Sequence, residues 1–315
     1  MSRLLRGFRP IPDGTRIRFM RLRVIALAVS LAIVAIASAS IGFKGLNLGL
    51  DFVGGLLIEA RTAQPVDLNE LRPKFDALGL GAVSLQTFGD PHSLLIKVQA
   101  DESAPAARQQ AIEKIRSVLA PTDEVRRTEF VGPKVSGELL RDGVYAALLS
   151  VICIGVYVWF RFEWQFGIAA IAATFHDIIV TVGLFSLLGL EFDLTTIAAL
   201  LTIAGYSIND TVVVFDRVRE NLRQYKTMPL AELIDLSTNQ TLARTILTSG
   251  TTLIAVVTLL LFGGPVLRNF AIALTWGILI GTYSSVFVAN ALLLYMPSVR
   301  REAQAPADDT TAGAA

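Results

Sequence analysis

Six stretches of this chain are each apolar for long enough to cross a bilayer, and they leave few folds open. They are Val24–Phe43, Val144–Phe160, Phe166–Leu188, Leu194–Phe215, Leu242–Phe262 and Phe270–Met296. A helix needs about 20 apolar residues to span the hydrocarbon layer. In lipid only helices and closed barrels satisfy their own backbone, and continuous apolar runs of this length fit helices rather than alternating barrel strands. The balance of 53% hydrophobic and 17% charged residues agrees with a membrane protein, since soluble domains carry about 25% charged residues. A net charge of +1 provides no basic face for nucleic acid. The single cysteine, Cys153, lies within an apolar run, where it reads as a small hydrophobe, and it can form no internal disulfide.

Charge gives the orientation. Residues 1–23 hold seven arginines and no lysine, and such an end stays in the cytoplasm. The rival reading is a signal peptide cleaved near Ala37-Ser38-Ala39, but the apolar run is long and five more follow, so 24–43 is read as an uncleaved first span. Six spans return the chain to the side it started from. The 216–243 loop carries Arg217, Arg219, Arg223 and Lys226, and the tail carries Arg300 and Arg301. The short loops opposite hold Glu191, Asp193 and one cation, Arg268. Both termini are therefore expected in the cytoplasm of a multi-pass plasma-membrane protein, with residues 44–141 outside. The tail, 297–315, is expected to be disordered.

Residues 44–141 are polar and carry short periodic segments. Gly55–Ala60, Val83–Phe88, Ser93–Val98 and Glu124–Val131 read as strands. Asp67 and Glu70 are spaced as a capping box before a helix bearing Leu68, Leu71, Phe75 and Leu78. Pro73 within it predicts a kink or a short helix. A second helix carries Ile112, Ile115 and Leu119. The order β-α-β-β-α-β predicts a ferredoxin-like α+β module. His92 sits in a Gly89–His92 turn with no metal-ligating companions, and reads as a solvated loop histidine.

The chemistry concentrates in the fourth run, where Tyr206, Ser207, Asn209 and Asp210 interrupt apolar sequence. An acid in a spanning helix costs about 2.5–3.5 kcal/mol on insertion scales and marks a functional site by default. Tyr206, Ser207 and Asp210 share one helical face. On the fifth run Thr241, Arg244, Thr248, Thr251, Thr252 and Thr258 form a polar stripe. Two polar stripes on neighbouring helices are expected to face each other, pairing Asp210 with Arg244 along a hydrated threonine path. A static buried ion pair and a snorkelling Arg244 are the plainer readings. On the third run His176 and Asp177, flanked by Thr174 and Thr181, fit either a second proton-relay group or a subunit contact. Gly277 and Gly281, followed by Ser284 and Ser285, read as helix packing.

These residues lie in longer motifs: GLNLGLDFVGG after the first run, VGPKVSGEL before the second, GYSINDTVVVFDRVREN on the fourth, and QTLARTILTSGTT, FGG and GTYSS on the last two. Together they resemble the SecD/SecF family of bacterial protein-export membrane proteins, of the SecF type, over roughly residues 18 to 296. The resemblance implies a six-helix half-unit of the RND superfamily fold, with transmembrane helix 1 at 24–43 and helices 2–6 within 142–296. It implies an accessory subunit of the Sec export machinery that pairs with SecD as a separate chain, assists the SecYEG channel with YajC as a further candidate partner, and uses the proton-motive force to promote late steps in moving secreted polypeptides outward. It assigns the family's fourth-span acid to Asp210, its fifth-span arginine to Arg244, and the root of the outer module to Asp51, Phe52, Gly54 and Gly55. No enzyme activity or cofactor is implied, and no P-loop motif is present. Two other classes stay open at this point. An RND-type exporter of small molecules or lipids would need a large outer substrate cleft. An intramembrane aspartyl protease would need Asp177 and Asp210 to share a proton.

Overall fold

The computed structural model describes residues 12, 15–87, 90–99 and 105–297. The remaining residues, including the tail expected to be disordered and Arg300 and Arg301, lie outside the described residues. A 3₁₀ turn at Phe19–Leu22 leads into helix α1, Arg23–Lys44. After strand β1, Asn47–Leu48, and the single-turn helix α2, Leu50–Val53, comes the outer module. It consists of β2 Gly55–Arg61, α3 Leu68–Asp76, β3 Ala82–Thr87, β4 Ser93–Gln99, α4 Pro105–Val118 and β5 Glu124–Val131. Then follow α5 Pro133–Arg161, α6 Trp164–Leu188, β6 Glu191–Phe192, α7 Leu194–Gln224 and α8 Leu230–Phe262. The last span is continuous through α9 Gly264–Tyr283, a π-helical segment Ser284–Ala289 and α10 Asn290–Tyr295. Among the described residues, six helices are long and apolar enough to cross a membrane.

The outer module has the expected order β-α-β-β-α-β. Its strands are antiparallel in the spatial order β3-β4-β2-β5, which is the split βαβ arrangement. Alternate residues Leu56, Ile58 and Ala60 on β2 and Leu94, Ile96 and Val98 on β4 face inward against Phe75, Ala111 and Ile115. Asp67 caps α3 by accepting the Asn69 amide at 2.9 Å. The capping box is not completed, because Glu70 instead accepts from Lys74 at 2.7 Å, one helical turn away. Pro73 is accommodated because α3 ends three residues later, at Asp76.

The membrane helices form two shells. The most apolar stretches of α6, α7 and the sixth span are 56%, 50% and 61% buried, whereas those of α1, α5 and α8 are only 11–17% buried. The inner three are therefore the packed core, and the outer three present lipid- or partner-facing sides. Close approach depends on small residues. A Cβ built on Gly183 of α6 would lie 2.7 Å from the Ala37 backbone of α1, and one on Gly277 of α9 would overlap the Ile203 side chain of α7.

Three helices outrun the apolar stretches that announced them. α5 starts at Pro133, where Gly132 and a proline in the first turn suit a helix start, so polar residues 134–142 continue the helix rather than end the outer module. α7 continues to Gln224 and α8 begins at Leu230, which reduces the expected 216–243 loop to a short link. Val218, Leu222, Leu233 and Ile234 hold these two ends together as one apolar seam with Met20. The N-terminal segment lies along the same end: Met20 donates its amide to Asp235 at 2.8 Å, and Ile17 exchanges two hydrogen bonds with Asn239.

Gly183→Leu should force α1 away from α6 and lower stability by about 1–3 kcal/mol. The readout is the thermal unfolding midpoint in detergent, with Gly42→Ala, whose added methyl meets nothing within 4 Å, as the neutral control. Equal midpoints for both variants would contradict the close packing.

Candidate functional site

Helix α7 is anchored at its start and buried through its middle. Asp193 is its N-cap: one carboxylate oxygen accepts the Thr196 amide at 2.8 Å and the Thr195 and Thr196 hydroxyls at 2.7 and 2.8 Å. Asp51, at the root of the outer module, accepts the Leu194 amide at 3.1 Å. Two acids therefore serve the orphan amides of one helix start. Phe52 is buried beside Phe192, with ring centroids 6.2 Å apart. Gly54 and Gly55 have φ of 82° and 136°, so the chain leaves this root in a backbone conformation that favours glycine. Beside it, parallel pairing of β1 with β6 and a Lys97–Glu191 ion pair at 2.7 Å tie the outer module to the membrane helices.

Two carboxylates lie deep in the bundle, with contrasting surroundings. Asp177 of α6 is fully buried. Its Oδ2 accepts from Ser207 of α7 at 2.5 Å and from Ser284 of the π segment at 2.7 Å, and its Oδ1 lies 2.9 Å from His176 Nδ1. Three donors from three helices meet on one acid. Gly281 lies beside the cluster, where a Cβ would be at ordinary contact distance, 3.6 Å from Asp177 Oδ2. Neither oxygen of Asp177 is shared with Asp210, so the paired-carboxylate arrangement of an aspartyl protease is absent.

Asp210 is 3% exposed, and its Oδ2 has no hydrogen-bond partner. The hydroxyls of Thr248 and Ser249 on α8 approach its carboxylate, and Arg244 of α8 acts on it electrostatically rather than as a close ion pair. Arg244 is on the exposed side of α8, one helical turn before Thr248. Ser249 also belongs to a hydroxyl chain. Tyr206 donates to Ser249 at 3.1 Å, Ser249 contacts Thr282 at 2.8 Å, and Thr282 donates to the Ile278 carbonyl at 2.8 Å. The Ser249 hydroxyl can therefore turn between Thr282 and the Asp210 carboxylate.

The remaining expected site residues divide. Ser207 faces Asp177, not Asp210, so one face of α7 serves two different acids. Asn209 is on the exposed side of α7 and joins neither cluster. The threonine stripe is present, but its hydroxyls turn back onto their own helix: Thr248 donates to the Arg244 carbonyl at 3.1 Å, Thr251 to Leu247 at 2.8 Å and Thr252 to Thr248 at 2.8 Å. Such back-bonding leaves these oxygens as acceptors. Thr174 and Thr181 do the same on α6. Sequence reasoning took Ser284 for packing alone and missed it as a ligand of Asp177. The signal was a Ser-Ser pair one turn after a glycine in an intramembrane helix, and the wide π turn that aims it leaves no mark in composition.

The comparisons with known proteins bear on this arrangement. The C-terminal family of the protein export membrane proteins SecD/SecF matches residues 111–299, which contain both acids and all the hydroxyls around them. The chain belongs to the SecD/SecF family. The SecD/SecF GG motif matches residues 39–66, the root that includes Asp51, Phe52, Gly54 and Gly55. The protein translocase subunit SecF of Desulfurispirillum indicum is 47% identical over 286 residues, spanning 89% of this chain and 91% of the relative. The translocase subunit SecDF of Brucella abortus is 41% identical over 95% of this chain, which spans only 40% of that relative. The crystal structure of SecDF from Thermus thermophilus, described as a translocon-associated membrane protein, matches with a TM-score of 0.79 at 40% identity. That match covers 90% of this chain and 39% of the SecDF chain. The chain thus has the length of a SecF-type relative and about two fifths of the length of a SecDF.

Ser284→Ala should remove one donor from Asp177. Hydrogen bonds between membrane helices average about 0.6 kcal/mol, but leaving a buried acceptor unsatisfied costs about 1–3 kcal/mol. The upper range is expected here, because the acceptor is fully buried. Unfolding of the variant in detergent measures the loss, and Ser285→Ala, whose hydroxyl bonds only its own helix, should lose less. Equal effects would mean that Asp177 does not depend on Ser284.

Proposed function

We propose that this chain is the SecF-type subunit of a protein-export assembly and that Asp210 is its proton-coupling residue. The observation that carries the reading is the state of Asp210: an acid 3% exposed in a membrane helix, with one oxygen unpartnered and hydroxyls and an arginine from a neighbouring helix around it. An acid held only for stability would be fully paired, as Asp177 is.

The mechanism follows from α8 being the movable partner. α7 is held by caps at its start and by the packed core, whereas the apolar stretch of α8 is only 17% buried. When α8 brings Arg244 and Ser249 towards Asp210, the carboxylate form is favoured; when they withdraw, burial favours the neutral acid. A proton taken up on one side and released on the other then alternates the two positions. Each charge crossing the membrane supplies about 2.3 kcal/mol per 100 mV. The change at Asp210 reaches the outer module along α7, whose start is joined to that module by Asp51 and Phe52, and rocking of the module helps draw an exported polypeptide outward. Asp177 and His176 act in this reading as a fixed acceptor that positions α7.

The assembly partner is a SecD chain, which supplies the remainder of the SecDF length. SecYEG and YajC complete the export machinery. The exposed edge of α8, which carries Arg244, Thr251 and Thr258, is polar for a lipid-facing surface and suits a subunit contact. The side bearing the N-terminal segment and the α7–α8 link is cytoplasmic. Arg16, Arg18, Arg21 and Arg23 gather there with Arg217, Arg219 and Arg223, in keeping with the positive-inside rule.

Asp210→Asn keeps size and polarity but cannot ionise. In inverted membrane vesicles, this variant should assemble with SecD normally, retain ATP-driven translocation, and lose the increment that a proton gradient adds. An undiminished increment would remove Asp210 from the coupling.

A further inference from the structure

At the opposite end of α7 from Asp51, a cleft of about 650 Å³ is lined by Arg161, Asp216, Arg219, Glu220, Arg223 and Gln224. The α7 members recur every three or four residues and so share one face of the helix. Arg161 is the last residue of α5. The two acids are already occupied: Asp216 by Arg161 at 3.4 Å, and Glu220 by Arg217 at 2.5 Å. Arg161 is spent on Asp216, but Arg219 and Arg223 are not. Arg219 uses one nitrogen to hold the Arg161 carbonyl at 3.5 Å, while its Nε is buried with no hydrogen-bond partner. Arg223 is exposed and forms no ion pair among the described residues. The cleft therefore offers unspent guanidinium donors next to neutralised carboxylates, which is a site for an anion.

The flanking residues identify which anion. Tyr157, Trp159, Phe160 and Trp164 are all exposed on α5 and the start of α6, and Phe160 is 95% exposed. Aromatic side chains clustered at the end of a spanning helix mark headgroup depth. An anion here lies beside acyl chains, not in open water. A zwitterionic headgroup would bring its own cation against the arginines, whereas an anionic phospholipid brings phosphate without one. Basic pockets between membrane helices take lipid phosphates for this reason.

We propose that this cleft binds the phosphate headgroup of an anionic phospholipid in the leaflet on the side of the N-terminal segment. The lipid bridges the end of α5 and the extension of α7, with Arg219 and Arg223 holding the phosphate and the exposed aromatic side chains lining the acyl chains. The inference rests on the six spans and not on proton coupling at Asp210.

The test is native mass spectrometry of the full-length purified chain, titrated with phosphatidylglycerol or phosphatidylcholine. Wild type should retain phosphatidylglycerol in preference. Arg223→Gln, which breaks no contact, should weaken that retention about fivefold, and Arg219→Gln with Arg223→Gln by a further factor of about five, from the attraction of a basic side chain for an anionic lipid. Arg126→Gln on the outer module should change nothing. Equal retention of the two lipids, or retention unaffected by Arg223→Gln, would overturn the proposal. So would loss of the lipid on adding millimolar inorganic phosphate, because the site would then accept any free anion. Should the double variant unfold, Arg223→Gln alone still decides, as its side chain is exposed and unpaired.

Discussion

A carboxylate in a membrane helix has to be compensated, and this bundle is arranged around doing so twice, in different ways. Asp177 receives donors from Ser207, Ser284 and His176, and both its oxygens are engaged. Those donors come from α6, α7 and the π segment, so the acid also fixes the spacing of the three inner helices. Asp210 lies three residues beyond Ser207 on α7, yet faces α8 and keeps one oxygen unpartnered. Full compensation is a structural solution, and partial compensation leaves a residue able to change its protonation state.

The difference follows from packing. Where Gly277 lets the sixth span close on α7, side chains from both helices reach the same acid. α8 approaches Asp210 with Thr248 and Ser249, while Arg244 lies on its exposed side. The inner helices are therefore the packed frame and α8 a peripheral neighbour, and the proposed coupling takes α8 as the element that moves. The frame continues to the outer module: Asp51 and Asp193 together cap α7, and Lys97–Glu191 braces the same joint. The opposite end of α7 is set by Val218 and Leu222 in the seam with α8 and Met20. One helix thus connects the outer module, both acids and the arginine cleft.

Much of this was legible in the sequence, because the solvent imposes it. Six apolar runs become six spanning helices, since lipid permits few alternatives. The strand and helix order of the outer module was readable from periodicity, and Asp210 stood out because an acid is rare in such a run. What was not legible depends on neighbours. The extensions of α5, α7 and α8 beyond their apolar runs carry polar residues that look like loop until Leu233 and Ile234 find Val218 and Leu222. The threonines of α8 read as a polar path, but their hydroxyls turn inward to their own backbone. Ser284 looked like packing because its direction is set by a π turn. The sequence placed Ser207 with Asp210 on one face, and only the position of α6 reveals that it belongs to Asp177.

The central proposal is that Asp210 is the acid of this bundle that exchanges the coupling proton. Infrared difference spectra of the chain in lipid, recorded between acidic and neutral pH, test this directly through the carboxyl stretching band of a buried acid. The account expects a band that disappears in Asp210→Asn and persists in Asp177→Asn. A band that survives in Asp210→Asn and vanishes in Asp177→Asn would contradict it.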